Sequence, residues 1–179
     1  MRTRTLISVA GFLLMFARGA SAHRLDQYLQ ATRLSLAANQ VGVEIDLTPG
    51  VDVAPAIFAL INTDHDGQIS ASEGEKYANE VVKETILEID GHPARLDLLT
   101  FEFPSFPEMA AGEGTIRIHA RARWSGTAGE HLLVYKNNHK PDLGVYLVNA
   151  LRPGSSGIEI TDQRRDRHQR EIRLGFVIH

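Results

Sequence analysis

The chain contains no cysteine. That excludes a disulfide framework, a thiol nucleophile, a zinc–thiolate site and an iron–sulfur cluster. It also excludes the cysteine-linked lipid anchor of a lipoprotein. Stability must therefore come from an ordinary hydrophobic core, which a chain of this size can build. Catalytic signatures are missing too. There is no G-x-S-x-G elbow, no H-E-x-x-H helix and no glycine-rich phosphate loop. Ser155-Ser156-Gly157 and the scattered acids define no site, so no enzymatic activity is expected. Basic residues do not dominate: 19 Lys and Arg stand against 22 Asp and Glu, for a net charge of −3. Such a balance gives little purchase on phosphates, and no nucleic-acid partner is expected.

Long apolar runs are limited to one, at the start. Arg2 and Arg4 precede the nearly unbroken apolar stretch Leu6 to Ala17, and Ala20-Ser21-Ala22 follows with small residues. This order predicts a secretory signal peptide over residues 1–22, because a dozen apolar residues are too few to cross a bilayer that needs about 20. Cleavage after Ala22 would leave His23 at the terminus and 157 of the 179 residues. Losing Arg2, Arg4 and Arg18 would move the charge from −3 to −6. The expected location is periplasmic or secreted.

What the rest of the chain does have is alternation. Val41, Val43, Ile45 and Leu47 alternate with Gly42, Glu44 and Asp46, which reads as a strand with one buried face. Tyr28 to Leu36 precedes it across Ala37-Ala38-Asn39-Gln40 and should form a hairpin with it. Ile116 to Trp124 alternates apolar residues with Arg117, His119, Arg121 and Arg123, a solvated or edge face. Further strands are expected at 85–90, 94–103, 131–136, 144–151, 157–161 and 171–178. A tight turn is expected at Asp90-Gly91 and a bulge at Leu98-Leu99. The charged stretch Asp162 to Glu171 reads as a solvated connection.

Residues 52–83 break the alternation and read as two helices around a polar centre. Pro55 suits a first helical turn, with Ile57, Phe58 and Ile61 on one face. Ser70 can cap a second helix from about Ala71 to Lys83. The expected fold is α+β: a sandwich-like antiparallel β domain over 23–179 with a helix–loop–helix inserted after its second strand.

The polar centre is Asn62-Thr63-Asp64-His65-Asp66-Gly67-Gln68-Ile69-Ser70-Ala71-Ser72-Glu73. Oxygen donors at alternate positions, a glycine at the sixth and a glutamate at the twelfth resemble the EF-hand family. Its loop supplies a calcium ion with oxygens from positions 1, 3, 5, 7, 9 and 12. The resemblance implies that Ca2+ is held by Asn62, Asp64, Asp66, the Gln68 carbonyl, Ser70 (through water) and both oxygens of Glu73. The sequence departs from the family twice, with Asn62 where an aspartate is usual and Gly74 where an apolar residue follows the glutamate. No second loop of this spacing exists to pair with it, so affinity should lie near the weak end, about 10⁻⁴ to 10⁻³ M.

His23-Arg24-Leu25-Asp26-Gln27-Tyr28, and later Tyr135-Lys136-Asn137-Asn138-His139 followed by Val145 to Leu151, resemble a second group. These are the exported N-terminal domains of bacterial membrane proteins of the nickel/cobalt permease and hydrogenase–urease accessory type. The resemblance implies an extracytoplasmic interaction or metal-sensing module with a membrane-protein partner. The sequence ends at His179 without a transmembrane part, so a transport role does not carry over. A free His23 amine and imidazole form a competent chelate for Cu(II) or Ni(II) given a second histidine from His92, His119, His131 or His139. The spacing selects none of these, and His23 reads more simply as the residue left by cleavage. His65, at the fourth loop position, is expected to face solvent.

Overall fold

A computed structural model describes residues 26–154 and 157–179. The expected leader and His23 lie outside the described residues.

The described residues form two five-stranded sheets and three helices, a mostly β, sandwich-like α+β fold. The first sheet is built from the hairpin β1 (Tyr28–Ala37) and β2 (Gln40–Pro49), with β5 (Leu96–Glu102), β6 (Ile116–Arg123) and β8 (Gly144–Ala150), in the order β5-β6-β2-β1-β8. The second contains β3 (Thr85–Ile89), β4 (His92–Pro93), β7 (Gly129–Asn137), β9 (Ile158–Arg165) and β10 (Glu171–Ile178), in the order β4-β3-β7-β10-β9. The alternation expected for β2 and β6 holds: Val41, Val43, Ile45 and Leu47 are buried against Ile116, Ile118, Ala120 and Ala122. Outside, Arg33 of β1 bonds to Glu44 and Asp46 of β2 at 3.0 and 2.9 Å, so the polar face of the hairpin is paired across strands.

Local turn chemistry agrees with the sequence. Asp90 and Gly91 both have positive φ (53° and 76°), as a two-residue hairpin loop requires. The register of β5 against β6 shifts between Leu98 and Thr100, a bulge at the expected place.

Four expectations need correction. The turn of the first hairpin is two residues, Ala38-Asn39, because Ala37 and Gln40 still pair. The expected strand 94–103 is shorter, running as β5 from Leu96 to Glu102, and a separate two-residue strand not expected, β4 at His92–Pro93, precedes it. The expected connection 162–171 is strand as far as Arg165. Residues 161–165 are exposed on both faces, so β9 is held by backbone pairing to β10 and has no alternation to read. Finally, the sheets are not wholly antiparallel: β8 runs parallel to β1, Tyr28 opposite Gly144 and Leu34 opposite Ala150. A short helix, α3 (Phe106–Ala110), was not expected; Ser105 and Glu108 form a capping box at its start, and Met109 is buried.

The inserted helices are α1 (Ala54–Ile61) and α2 (Ala71–Lys83). Ala54, Ile57, Phe58 and Ile61 of α1 are buried, as are Tyr77, Ala78, Val81 and Val82 of α2. All belong to the same apolar cluster as Leu133, Ile172 and Phe176 of the second sheet and Ile45 of the first. The insert thus shares the domain's core, with α2 lying against β5 and the start of β3.

Candidate metal centre

The loop between α1 and α2 is shaped by its own sequence. Asn62 ends α1 as its C-cap, with its N–H donating to the Phe58 carbonyl. His65 and Gly67 take left-handed backbone (φ 62° and 85°), which glycine tolerates freely and histidine at a cost of about 1 kcal/mol. Asp64 accepts from the Asp66 N–H at 3.2 Å, and Asp66 from the Gln68 N–H at 2.7 Å. These two consecutive side chain–backbone turns hold the loop in its alternating conformation. His65 is exposed, as expected.

Ser70 caps α2, and its partner three residues on is Glu73. The ninth and twelfth loop positions are therefore also the N-cap and N3 of a capping box. One Glu73 oxygen accepts from the Ser70 hydroxyl and N–H at 2.8 and 3.0 Å. The other accepts from the Thr63 N–H, the Thr63 hydroxyl and the Asp64 N–H. The hydrogen bonds from Ser70, first its backbone and then its hydroxyl, hold this carboxyl down at about 2, aided by Asp64 and Thr63. Glu73 thus closes the loop from inside the exit helix, tying its first residues to its last.

The structure brings Glu73 to both ends of the loop but does not gather the three carboxylates. Among the described residues, no three His, Asp or Glu side chains form a metal-holding group. In this conformation Asp64, Asp66 and Glu73 direct oxygens at loop amides. The donor set is nonetheless all oxygen, the preference of a hard divalent cation. One donor is conspicuous. Asn62 is only 4 % exposed, and its Oδ1 is buried without a hydrogen-bond partner. A buried orphan acceptor costs about 1–3 kcal/mol, and this one occupies the first ligand position.

Gly74 explains the second departure from the family pattern. A Cβ there would lie 3.0 Å from the Phe103 ring and 3.2 Å from that of Phe101. The aromatic side chains of the β5 region occupy the space an apolar residue at 74 would fill. The apolar group is present but comes from another element.

Two of the histidines singled out in the sequence, His131 and His139, are committed elsewhere. His131 Nδ1 lies 2.8 Å from Asp90 Oδ2 and its Nε2 2.8 Å from the Thr127 carbonyl oxygen. His139 is fully buried. Its backbone N–H donates to Asn137 Oδ1, while its carbonyl accepts from Gln30 Nε2 and the Tyr146 hydroxyl. Asn137 Nδ2 in turn donates to Gln30 Oε1 at 2.9 Å. The Tyr135 to His139 stretch is therefore a structural fastening, with Tyr135 OH 2.9 Å from the Thr32 hydroxyl across the sheets. Sequence reading passed over Gln30 and Thr32. The available signal was their phase: they share the inward face of β1 with Tyr28 and Leu34, where a polar residue needs a buried partner.

Comparison of the chain with protein-family models, with curated proteins and with solved structures finds no match to any of them.

Proposed function

We propose that this is an exported calcium-binding protein in which one ion, held by the 62–73 loop, braces the two inserted helices. Asn62, Asp64, Asp66, the Gln68 carbonyl, Ser70 and Glu73 would supply the oxygens. The observation that carries this reading is Asn62 Oδ1, a buried acceptor without a donor at the first position of the loop. A cation supplies what that oxygen lacks, and neutralises carboxylates drawn toward one another. The left-handed backbone at His65 and Gly67 and the side-chain turns of Asp64 and Asp66 are further support, since they curl the loop so that Glu73 reaches both of its ends.

Binding asks Glu73 to give up loop amides for the ion, an exchange that fits weak affinity. At ten times its dissociation constant the ion adds about 1.4 kcal/mol to stability. Calorimetric titration with calcium, beside magnesium, tests the reading. Heat should saturate with a single site for calcium and be absent for Glu73→Gln. Asn62→Asp should tighten binding by adding a fourth carboxylate. No calcium heat in the wild type, with the same loop folded, overturns the proposal.

A further inference from the structure

Among the described residues β8 is the edge strand of the first sheet and pairs with β1 alone. The Tyr28 N–H donates to the Leu143 carbonyl and the Leu151 N–H to the Leu34 carbonyl. Odd-numbered residues of β8 therefore spend their backbone groups on β1, and the peptide groups of Gly144, Tyr146 and Val148 face away from it. Two of these positions are covered. Gly144 N–H turns back to the Lys140 carbonyl, and Arg165 Nε donates to the Val148 carbonyl at 2.7 Å. Between them the strand edge at Tyr146 opens on a groove of about 560 Å3, whose far wall is the 166–170 turn.

Two chemistries meet along this edge. On the outer face of the sheet, Leu143, Val145 and Leu147 are 42, 37 and 40 % exposed. On the far wall stand Arg167 and Arg170. Arg170 Nε is buried without a hydrogen-bond partner, and the side-chain contact of Arg167 is with His168, at 3.5 Å. The adjacent acid, Asp166, is already accepting from the Arg170 and Glu171 N–H groups at 2.7 and 2.9 Å. Among the described residues Arg165, Arg167 and Arg170 make no ion pair, and against the two nearby carboxylates, Asp142 and Asp166, they leave this edge with an excess of positive charge on a chain whose net charge is −3.

We propose that this edge receives an extended acidic segment of a partner protein, which adds to the sheet beside β8. Such a segment would alternate apolar residues with Asp or Glu. The two-residue period of a strand then sets its apolar side chains against Val145 and Leu147 and its carboxylates toward Arg167 and Arg170. Backbone bonds to Tyr146 give the register, and the guanidiniums select the charge. Arg165 bounds the open length and guards the remaining edge against indiscriminate pairing. The inference is independent of calcium.

Fluorescence anisotropy of a labelled nine-residue peptide alternating valine and glutamate tests it, with the valine–lysine peptide as control. The glutamate peptide should bind and the lysine peptide should not. Arg167→Glu with Arg170→Glu should weaken the glutamate peptide about tenfold or more and admit the lysine peptide. Leu147→Glu, outside the turn, should weaken the glutamate peptide even if the double variant folds poorly. Equal binding of both peptides, or glutamate-peptide binding unchanged by these substitutions, overturns the proposal. So does finding that the groove residues instead mediate self-association, or attachment to phosphatidylglycerol vesicles, with no peptide bound.

Discussion

Nδ1 of His139 lies 2.6 Å from Oε2 of Glu84, the residue that caps the C-terminus of α2. The other ring nitrogen lies 2.9 Å from the hydroxyl of Tyr77, in the middle of the same helix, and that hydroxyl is 2.9 Å from Tyr28 OH. One imidazole therefore grips α2 at two points and links it to the first strand. With Nδ1 protonated toward the carboxylate, Nε2 accepts from Tyr77, which accepts from Tyr28. A second proton on the ring would reverse that chain and leave the Tyr28 hydroxyl hydrogen, at 0 % exposure, without its acceptor.

Burial pushes the His139 pKa down, against the pull of Glu84 and, more weakly, Glu80; Lys140 reinforces the fall. A histidine with a depressed folded pKa contributes stability that is complete above its unfolded value, about 6.5, and is lost as pH falls through the lower folded one. Stability of the wild type to urea should therefore fall as pH drops below about 6.5, and this slope should shrink in His139→Gln. His139→Ala should cost about 3 kcal/mol, since it opens a cavity and strands Tyr77 and Glu84. An unchanged pH slope in both variants would mean that the imidazole does not titrate with folding.

His131 should behave in the opposite sense. Both of its ring nitrogens face acceptors, so the doubly protonated ring satisfies both, and the hydrogen bond to Asp90 leads in raising its pKa, with Thr127 next. Its stabilising effect is complete below the unfolded pKa and disappears as pH rises through the folded one. The imidazole resonances of the two histidines should titrate on either side of the ordinary value. Asp90→Asn should bring the His131 midpoint down; a midpoint that stays put would remove Asp90 as its cause.

The Phe103 ring over Gly74 predicts an asymmetric mutational response. Gly74→Ala gains helix propensity, about 1 kcal/mol, but must move a ring edge now 3.0 Å from the new carbon. The net change should be small. Gly74→Leu has no such room and should lose about 1–3 kcal/mol. Phe103→Ala in the Gly74→Leu background should recover part of that loss, and thermal melts of the four variants measure the coupling. Simple additivity would show that the two sites do not meet.

Chelation should loosen the insert in a graded way. The loop and the first turn of α2 depend on Glu73, whereas the second half is fixed by Tyr77, Val81, Val82 and the His139 contacts. With calcium present and then removed by EDTA, hydrogen exchange should quicken over residues 62–74. It should change little over 77–84 and not at all over Ile116 to Arg123, because local openings have their own free energies. Loss of protection throughout would make the ion part of the domain's core. Uniform indifference would count against the brace.

How much of this was legible in the sequence depended on whether a residue's role was local. Val41 to Leu47 and Ile116 to Ala122 declared themselves because each strand buries one face, and Asp90-Gly91 because its backbone demands positive φ. α3 was passed over because five residues give no period; the only trace was Ser105 and Glu108 at capping-box spacing with Pro107 between them. β9 was half missed because its second half buries neither face. The loop's ligand positions could be named from spacing, but the fit of Phe103 over Gly74 could not, since it joins residues from different elements. Likewise nothing in the neighbourhood of His139 in the chain points to Tyr77 or Glu84.

The parallel pairing of β1 with β8 also fixes an order of events. β1 meets β2 across a two-residue turn, a contact that can form within microseconds. Its other edge must wait for Gly144 to Ala150, more than a hundred residues later in the chain. During synthesis the hairpin is thus complete on one side and bare on the other until most of the polypeptide exists. The β1 edge that presents the peptide groups of Tyr28, Gln30, Thr32 and Leu34 is then open to a neighbouring nascent chain. The rate at which residues 144–150 arrive and dock, more than final stability, should govern how much of the protein reaches its native state at high expression.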